Sequence, residues 1–149
     1  CFVGLTMAHG RGELARAVLE GVALNLRTIL GAFRRQGASI DALRVIGGGA
    51  RSDVWRQILA DVLDTPLLRP HLAAEATALG AAVAAGVGVG LLPGYDVVSR
   101  WVDAREAERP IPERVAAYDE LYPLFCEAYE ALRPLFDGLA SFSSEGSQS

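Results

Sequence analysis

The residues of this chain best suited to chemistry lie in one short stretch, residues 47–53, with the sequence GGGARSD. Glycines allow a backbone to approach a ligand closely and to adopt positive φ angles. The N–H groups at the start of a helix are unpaired and suit a phosphate group. The stretch therefore predicts either a phosphate-binding turn or a tight bend without a ligand, and the glycine triplet alone leaves both open.

Two phosphate-binding motifs can be compared with residues 47–53. A P-loop requires a lysine after its last glycine, and no lysine occurs in this stretch, so that motif is excluded. A dinucleotide-binding fingerprint requires three spaced glycines, and Ser52 stands where the third one belongs. A dinucleotide-binding oxidoreductase domain is therefore a weak alternative, which a titration with NADH would test.

The elements around this stretch predict an α/β fold. In chain order, the patterns predict a helix over about 11–36, a strand over 43–48, a helix from 51 or 52 to about 63, a strand over 65–70, a helix over 74–86, a charged and proline-bearing linker over 103–113 and a helix from 113 to about 139. Pro123 and Pro134 should kink or break the last helix. The strand–helix–strand order predicts a partly parallel sheet covered by helices, with the glycine turn after a strand, where ligands bind in such sheets.

Several side chains on the predicted helices have a structural interpretation. The first helix carries a stripe that should face the core: Leu14, Val18, Val22, Asn25, Ile29 and Phe33. Glu20 and Asn25 should tie this helix to a neighbour, because buried polar groups need partners. Glu13 should complement the dipole at the helix start. Trp55 is expected to pack in the core, with adenine stacking as the alternative.

Composition excludes several classes of function. A net charge of -4 gives no broad basic surface for nucleic acid, and no apolar run is long enough to span a bilayer. Cys1 and Cys126 suggest no disulfide framework, so a reducing, cytoplasmic location is expected. His9 and His71 lack a second ligand at metal-binding spacing. Because the chain starts with Cys1 and not Met, we expect it to be a piece of a longer protein.

Four segments, in the same order, resemble the C-terminal half of the FGGY carbohydrate kinases. The family's signature is matched by Phe2, Gly4, Leu5, Glu13, Leu14, Ala17, Val18, Leu19 and Glu20. GGGARSDVWRQILADVLDTPL resembles the family's adenosine-binding turn and the helix after it, and EATALGAAVAAGVGVG resembles the next helix. YDELYPLFCEAYEALRPLF resembles the C-terminal helix of the xylulokinase branch.

The resemblance implies a fold and an activity. Residues 1–140 would be a ribonuclease-H-like, actin-type nucleotide-binding domain without its first strands, and residues 141–149 a polar flexible tail. The full protein would use ATP and Mg²⁺ to phosphorylate a sugar hydroxyl, with D-xylulose favoured over ribulose, gluconate, glycerol, fuculose or rhamnulose. A non-catalytic member that binds nucleotide or a partner is a further alternative.

The resemblance also implies which residues meet the nucleotide. Gly48, Gly49 and Ala50 would lie against the ribose and phosphates of ATP, and Asp53 beside the adenine. The catalytic base, the sugar-binding residues and the metal-binding acids would lie upstream of Cys1, so no catalytic or metal-binding residue is assigned, and the chain alone should be inactive. The apolar face of the C-terminal helix could serve a homodimer contact.

Overall fold

The glycine turn is positioned by a three-stranded sheet and its helices in a computed structural model, which describes residues 1–71, 73, 75–101 and 104–145. The elements are α1 (Arg11–Arg35), β1 (Leu43–Arg44), a 3-10 helix (Gly48–Arg51), α2 (Asp53–Leu63), β2 (Leu67–Pro70), α3 (Ala76–Gly88), α4 (Val97–Trp101), β3 (Ala104–Glu108) and α5 (Pro112–Glu145). None of the helices within these described ranges is long and apolar enough to cross a membrane.

The strands lie in the order β1-β2-β3. β1 and β2 are parallel, with Leu43 opposite Leu67, so the predicted partly parallel sheet is confirmed. β1 is shorter than predicted, because the backbone turns away at Gly47, where φ is +81°. β3 pairs antiparallel with β2 and places Arg105 opposite Arg69, after an irregularity in the register at Leu67.

Two predictions about the C-terminal third are wrong. Residues 104–108, assigned to a solvated linker, form β3, because the edge of β2 gives their backbone a pairing partner. Of the kink or break predicted at Pro123 and Pro134, the break does not occur, since α5 continues through both for 34 residues. It also extends to Glu145, five residues into the segment predicted as a tail, and residues 146–149 lie outside the described part. The short helix α4 was not predicted.

The buried face of α1 differs from the predicted one. The helix buries Ala23, Leu24 and Leu30 in a core that also includes residues of α2, β2 and α5. The predicted stripe is largely exposed, with Phe33 at 58% and Asn25 also exposed, because α2 and the Tyr118 side chain of α5 pack against the other side of the helix. Part of the exposed stripe borders an open apolar groove of about 680 Å³, lined mainly by Leu26, Ile29, Phe33, Leu43, Val45, Ile46 and Trp55.

Candidate functional site

The glycine turn connects the end of β1 to the start of α2. Gly47 donates its backbone N–H to the carbonyl oxygen of Ala73 at 2.9 Å, which ties the turn to the loop after β2. The 3-10 helix follows, and Ser52 then caps α2 by accepting a hydrogen bond from the backbone N–H of Trp55 at 3.3 Å. The predicted start of this helix at residue 51 or 52 is thus confirmed to within two residues.

The three glycines of the turn are not equivalent. Gly47 has a φ of +81°, a conformation that residues with a Cβ rarely adopt. A Cβ on Gly49 would lie 3.1 Å from both Cδ1 and Nε1 of the Trp55 ring, which is too close without a shift of that ring. A Cβ on Gly48 would meet nothing within 4 Å, and its φ is outside the left-handed region. The fold itself therefore restricts positions 47 and 49 but not position 48.

The other two predicted contact residues lie directly after these glycines. Ala50 is fully buried, its N–H donates to the carbonyl of Gly47 at 3.1 Å, and its own carbonyl accepts from Arg56. Both of its backbone polar groups are thus occupied within the protein. The Asp53 side chain is 87% exposed, and its carboxylate accepts from Arg56 Nη2 at 2.5 Å. The structure thus brings all four predicted residues into one turn, with Asp53 accessible and the Ala50 side chain hidden.

Arg56 holds this turn in place, and sequence reasoning missed it. Its side chain is buried, and Nη1 donates to the carbonyl of Ala50 at 2.5 Å. Its Nε donates to the carboxylate of Glu108 on β3 at 2.8 and 2.9 Å. The hydrogen bond with Glu108 is the main reason that the pKa of Arg56 is raised, and a second one with Asp53 adds to it, against the effect of burial. Arg56 therefore links the turn, the first turn of α2 and the sheet.

A second buried polar group, Asp61, fixes the other end of α2 to α5. Its side chain is 1% exposed and accepts the backbone N–H of Ile111 at 2.9 Å. It also accepts from Gln57 Nε2 at 2.7 Å and pairs with Arg114 at 3.4 Å. These bonds satisfy a carboxylate that burial would otherwise destabilise. The spacing of Gln57 and Asp61 was visible in the sequence, but their partner in α5 was not.

The prediction that Glu20 ties α1 to a neighbour is confirmed. Tyr118 of α5 donates its hydroxyl to Glu20 at 2.6 Å, and Arg16 donates to both of these side chains. Burial is the main reason that the pKa of Tyr118 is raised, and its hydrogen bond to Glu20 raises it further. The same prediction for Asn25 is wrong, because this residue is exposed.

The structural interpretations of Glu13 and Trp55 agree with the structure. Glu13 lies in the first turn of α1 and accepts the backbone N–H of Gly10 at 3.0 Å. Hydrogen bonds from its own backbone and from Gly10 lower the pKa of Glu13. Trp55 is partly buried and packs against the core. Across the described residues, no three histidine, cysteine, aspartate or glutamate side chains come together as metal ligands would.

Comparisons with known proteins relate this chain to one family. A family model described as "FGGY family of carbohydrate kinases, C-terminal domain" matches residues 1–89. The gluconokinase of Bacillus licheniformis is 34% identical over 142 residues, which cover 95% of this chain and 28% of that protein. A glycerol kinase of Aromatoleum aromaticum is 43% identical over 112 residues, or 74% of this chain and 22% of that protein.

The fold comparison agrees with the sequence comparison. The crystal structure of xylulose kinase from Rhodospirillum rubrum superposes with a TM-score of 0.75 at 37% identity, over 92% of this chain and 28% of that one. The predicted fold class, an α/β portion of the C-terminal domain of a sugar kinase, is confirmed. The chain spans only 28% of the length of these gluconate and xylulose kinases.

Proposed function

Because the chain belongs to the FGGY family of carbohydrate kinases, we propose that the protein containing it transfers the γ-phosphate of ATP to a sugar hydroxyl. This chain supplies the adenosine side of the nucleotide site, through the turn at Gly48 and Gly49 and the helix start at Asp53. Phosphoryl transfer depends mainly on positioning and on stabilisation of charge. The part assigned to this chain is therefore to hold the nucleotide, and the catalytic base and the Mg²⁺ ligands belong to other parts of the protein.

Gly48 is the observation that carries the assignment of the turn. Glycine at position 47 is explained by its backbone angle, and glycine at position 49 by the Trp55 ring. Neither reason applies at position 48, where a Cβ would find open space. At a turn between a strand end and a helix start, where ligands bind in α/β folds, such a glycine suits a molecule that must approach the backbone closely. The ribose and phosphates of ATP are such a molecule.

Arg56 and Asp53 fit the same proposal. Arg56 fixes the carbonyl of Ala50 and leaves the Asp53 carboxylate exposed at the start of α2. The turn is thus rigid before a ligand arrives, which lowers the entropic cost of binding. The exposed carboxylate of Asp53 would accept a hydrogen bond from the amino group of adenine. Ala50 contributes the shape of the turn, because its side chain is buried and its polar groups are already bonded.

D-xylulose is the substrate we propose, with xylulose 5-phosphate as the product. The support is the structural similarity to the xylulose kinase of Rhodospirillum rubrum at 37% identity. Gluconate is the second candidate, because the gluconokinase of Bacillus licheniformis is 34% identical over 95% of the chain. These identities are similar, so a direct comparison of substrates must decide between them.

The apolar groove supports the proposal that residues 1–140 form an incomplete domain. It lies between the exposed stripe of α1 and β1, which is the outer strand of the sheet. An outer strand presents unpaired backbone groups, and an apolar helix face beside it favours a further strand with apolar side chains. We propose that the rest of the kinase supplies this strand, and that the chain alone has no kinase activity.

Two experiments test the proposed function. The first is an ADP-release assay with the full-length protein on D-xylulose, gluconate, glycerol and other sugars. Turnover is expected to be fastest with D-xylulose, faster turnover with gluconate would select the second candidate, and the absence of turnover on all of them would refute the kinase proposal. Tight binding of NADH instead of ATP would favour the dinucleotide-binding alternative.

The second experiment tests the turn itself through ATP affinity in the full-length protein. Gly48→Ala should weaken ATP binding about tenfold, because overpacking a tight contact costs about 1–3 kcal/mol, and it should leave the melting temperature unchanged. Gly138→Ala on α5, where a Cβ also meets nothing within 4 Å, is the matched control. Equal ATP affinity in both variants would mean that the turn is only a bend. Gly49→Ala is less informative, since its contact with Trp55 would alter the fold as well.

A further inference from the structure

We propose that a basic pocket at the end of β2 binds a phosphate group, which goes beyond the proposed function of the glycine turn. This arginine pocket has a volume of about 430 Å³ and is lined by Arg56, Arg69, Pro70, His71, Arg105 and Ala107. Three of its six lining residues are arginines, and the donors of a guanidinium match the oxygens of a phosphate. The observations that carry the proposal are the strand register, the charge balance and the position of the pocket.

The strand register places two positive charges against each other. Arg69 on β2 is the direct partner of Arg105 on β3 in the antiparallel ladder. Side chains at such positions lie on the same face, with their Cβ atoms about 4.5–5.5 Å apart, and like charges there destabilise the pair. Both side chains are exposed, and His71 follows two residues after Arg69. An anion bound by the exposed guanidinium of Arg69 would reduce this repulsion.

The buried acidic group of β3, Glu108, does not offset the charge of Arg69. The carboxylate of Glu108 is bound by the Nε of Arg56, so this pair is neutral. Arg105 has a further interaction, and the proposal therefore rests on Arg69. None of the ion pairs within the described ranges includes Arg69. Its guanidinium donors are thus available to a ligand.

The position of the pocket is suitable for a ligand. The parallel strands β1 and β2 end at the same edge of the sheet, where ligands bind in α/β folds. Arg56 connects the pocket to the glycine turn, because it lines the pocket and donates to the carbonyl of Ala50. The phosphate could therefore belong to ATP bound at the turn or to a separate phosphorylated molecule. The chemistry recognised is the same in both cases, and the experiment distinguishes the sources.

Calorimetric titration of the full-length protein with inorganic phosphate tests the proposal, in a buffer without ATP or other oxyanions. Arg69→Gln should weaken phosphate binding about tenfold or more, because one charge-assisted hydrogen-bond donor is lost. Arg69→Lys keeps the positive charge and should lose less phosphate affinity than Arg69→Gln. Arg133→Gln is the matched control, since Arg133 is an exposed arginine on α5, and its phosphate affinity should equal that of the parent. Equal affinity in the Arg69→Gln variant, or no phosphate binding by the parent, would overturn the proposal.

Thermal unfolding gives a second readout that does not depend on calorimetry. Without phosphate, Arg69→Gln should melt at the same or a higher temperature than the parent, because the repulsion with Arg105 is removed. Added phosphate should raise the melting temperature of the parent but not that of the variant. If phosphate raises the melting temperature of the variant as much as that of the parent, a phosphate site at Arg69 is contradicted.

Competition with ATP identifies the source of the phosphate. If ATP supplies it, inorganic phosphate and ATP compete in the full-length protein, and Arg69→Gln weakens both. If a separate molecule supplies it, phosphate binds equally well with ATP present. Both results support an anion site. Gly48→Ala distinguishes a failure of this proposal from a failure of the proposed function, because this substitution should weaken ATP binding and leave the phosphate affinity unchanged.

Discussion

Replacement of Arg56 by methionine should destabilise the protein more than any surface substitution, because this side chain connects three elements. It donates to the turn through Ala50, to the start of α2 through Asp53 and to β3 through Glu108. Methionine fills a similar volume but donates no hydrogen bond. The substitution thus removes the connections and leaves the packing of α2 largely intact.

The magnitude follows from the burial of each partner. The Glu108 side chain is only 10% exposed, so without Arg56 it becomes an uncompensated buried charge, a change that costs about 3–5 kcal/mol. The Ala50 carbonyl also loses its donor, at about 1–3 kcal/mol if it stays buried. The contact with Asp53 adds little, because that carboxylate is 87% exposed. Since these costs overlap, we expect the free energy of unfolding to fall by about 3–5 kcal/mol.

Urea unfolding followed by tryptophan fluorescence measures this loss, and a double-mutant cycle with Glu108→Gln assigns it. In the Glu108→Gln background, Arg56→Met leaves no unpaired carboxylate on β3, so it should cost only about 1–2 kcal/mol. Arg133→Met is the control, because Arg133 pairs with Glu130 at an exposed site and should contribute less than about 0.5 kcal/mol.

Two results would refute this reasoning. If Arg56→Met lowers stability by less than about 1 kcal/mol, the side chain does not hold the turn to the sheet. If the losses from Arg56→Met and Glu108→Gln are additive in the double variant, the two residues are not coupled, whatever their separation.

Three further substitutions test polar contacts at the start of α1 and between the helices. Asp61→Ala should lower the free energy of unfolding by about 2–3 kcal/mol, measured in urea, because it leaves the buried N–H of Ile111 without an acceptor. The pKa of Glu13 is lowered in the folded protein, so its carboxylate stabilises the fold above the unfolded-state pKa near 4.5. This stabilisation is lost as the pH falls through the folded-state pKa, and Glu13→Gln should remove that acid-dependent loss. The pKa of Tyr118 is raised in the folded protein, so its hydroxyl contributes stability that is present below about pH 10 and lost as the pH rises through the folded-state pKa. Tyr118→Phe should abolish this loss of stability at alkaline pH, which unfolding curves at pH 9 and 11 would detect.

The sequence predicts the helices flanking the site because their signals are local. The limits of α1 follow from an apolar period and from Gly37, which adopts a φ of +87° just after the helix. The start of α2 follows from Ser52, whose side chain caps it. These signals lie within a few residues of the structure they determine, so they can be found without knowledge of the fold.

β3 could not be predicted, because its stability comes from residues distant in the chain. Residues 104–108 are two alanines and three charged residues, a composition typical of solvated segments. Their strand forms by pairing with β2, and Glu108 becomes buried only because Arg56 of α2 neutralises it. Arg56 escaped notice for the same reason: an arginine within a helix is usually solvated, and only its partner on β3 distinguishes it.

The apolar face of α1 shows a related limit. The helix has apolar residues on more than one side, and periodicity does not identify which side is buried. In the structure, Ala23, Leu24 and Leu30 are buried while Ile29 and Phe33 border the open groove. Helices that are apolar on most sides are normally covered on most sides. Periodicity therefore predicts an apolar stripe on α1, but the neighbouring elements decide which face of the helix is buried.

The sequence of the glycine triplet is compatible with a ligand site and with a plain bend, and in the structure the three glycines differ in which of these explains them. A plain bend would explain all three glycines through the chain itself, yet it explains only Gly47, by its φ, and Gly49, by the Trp55 ring. A ligand site would leave at least one glycine without an internal reason, and Gly48 is in that position. The two interpretations are therefore not exclusive. The bend sets the shape of the turn, and Arg56 stabilises that shape through the carbonyl of Ala50. In this shape Gly48 is the glycine of the triplet at which a bound molecule, and not the fold, would require the absence of a side chain.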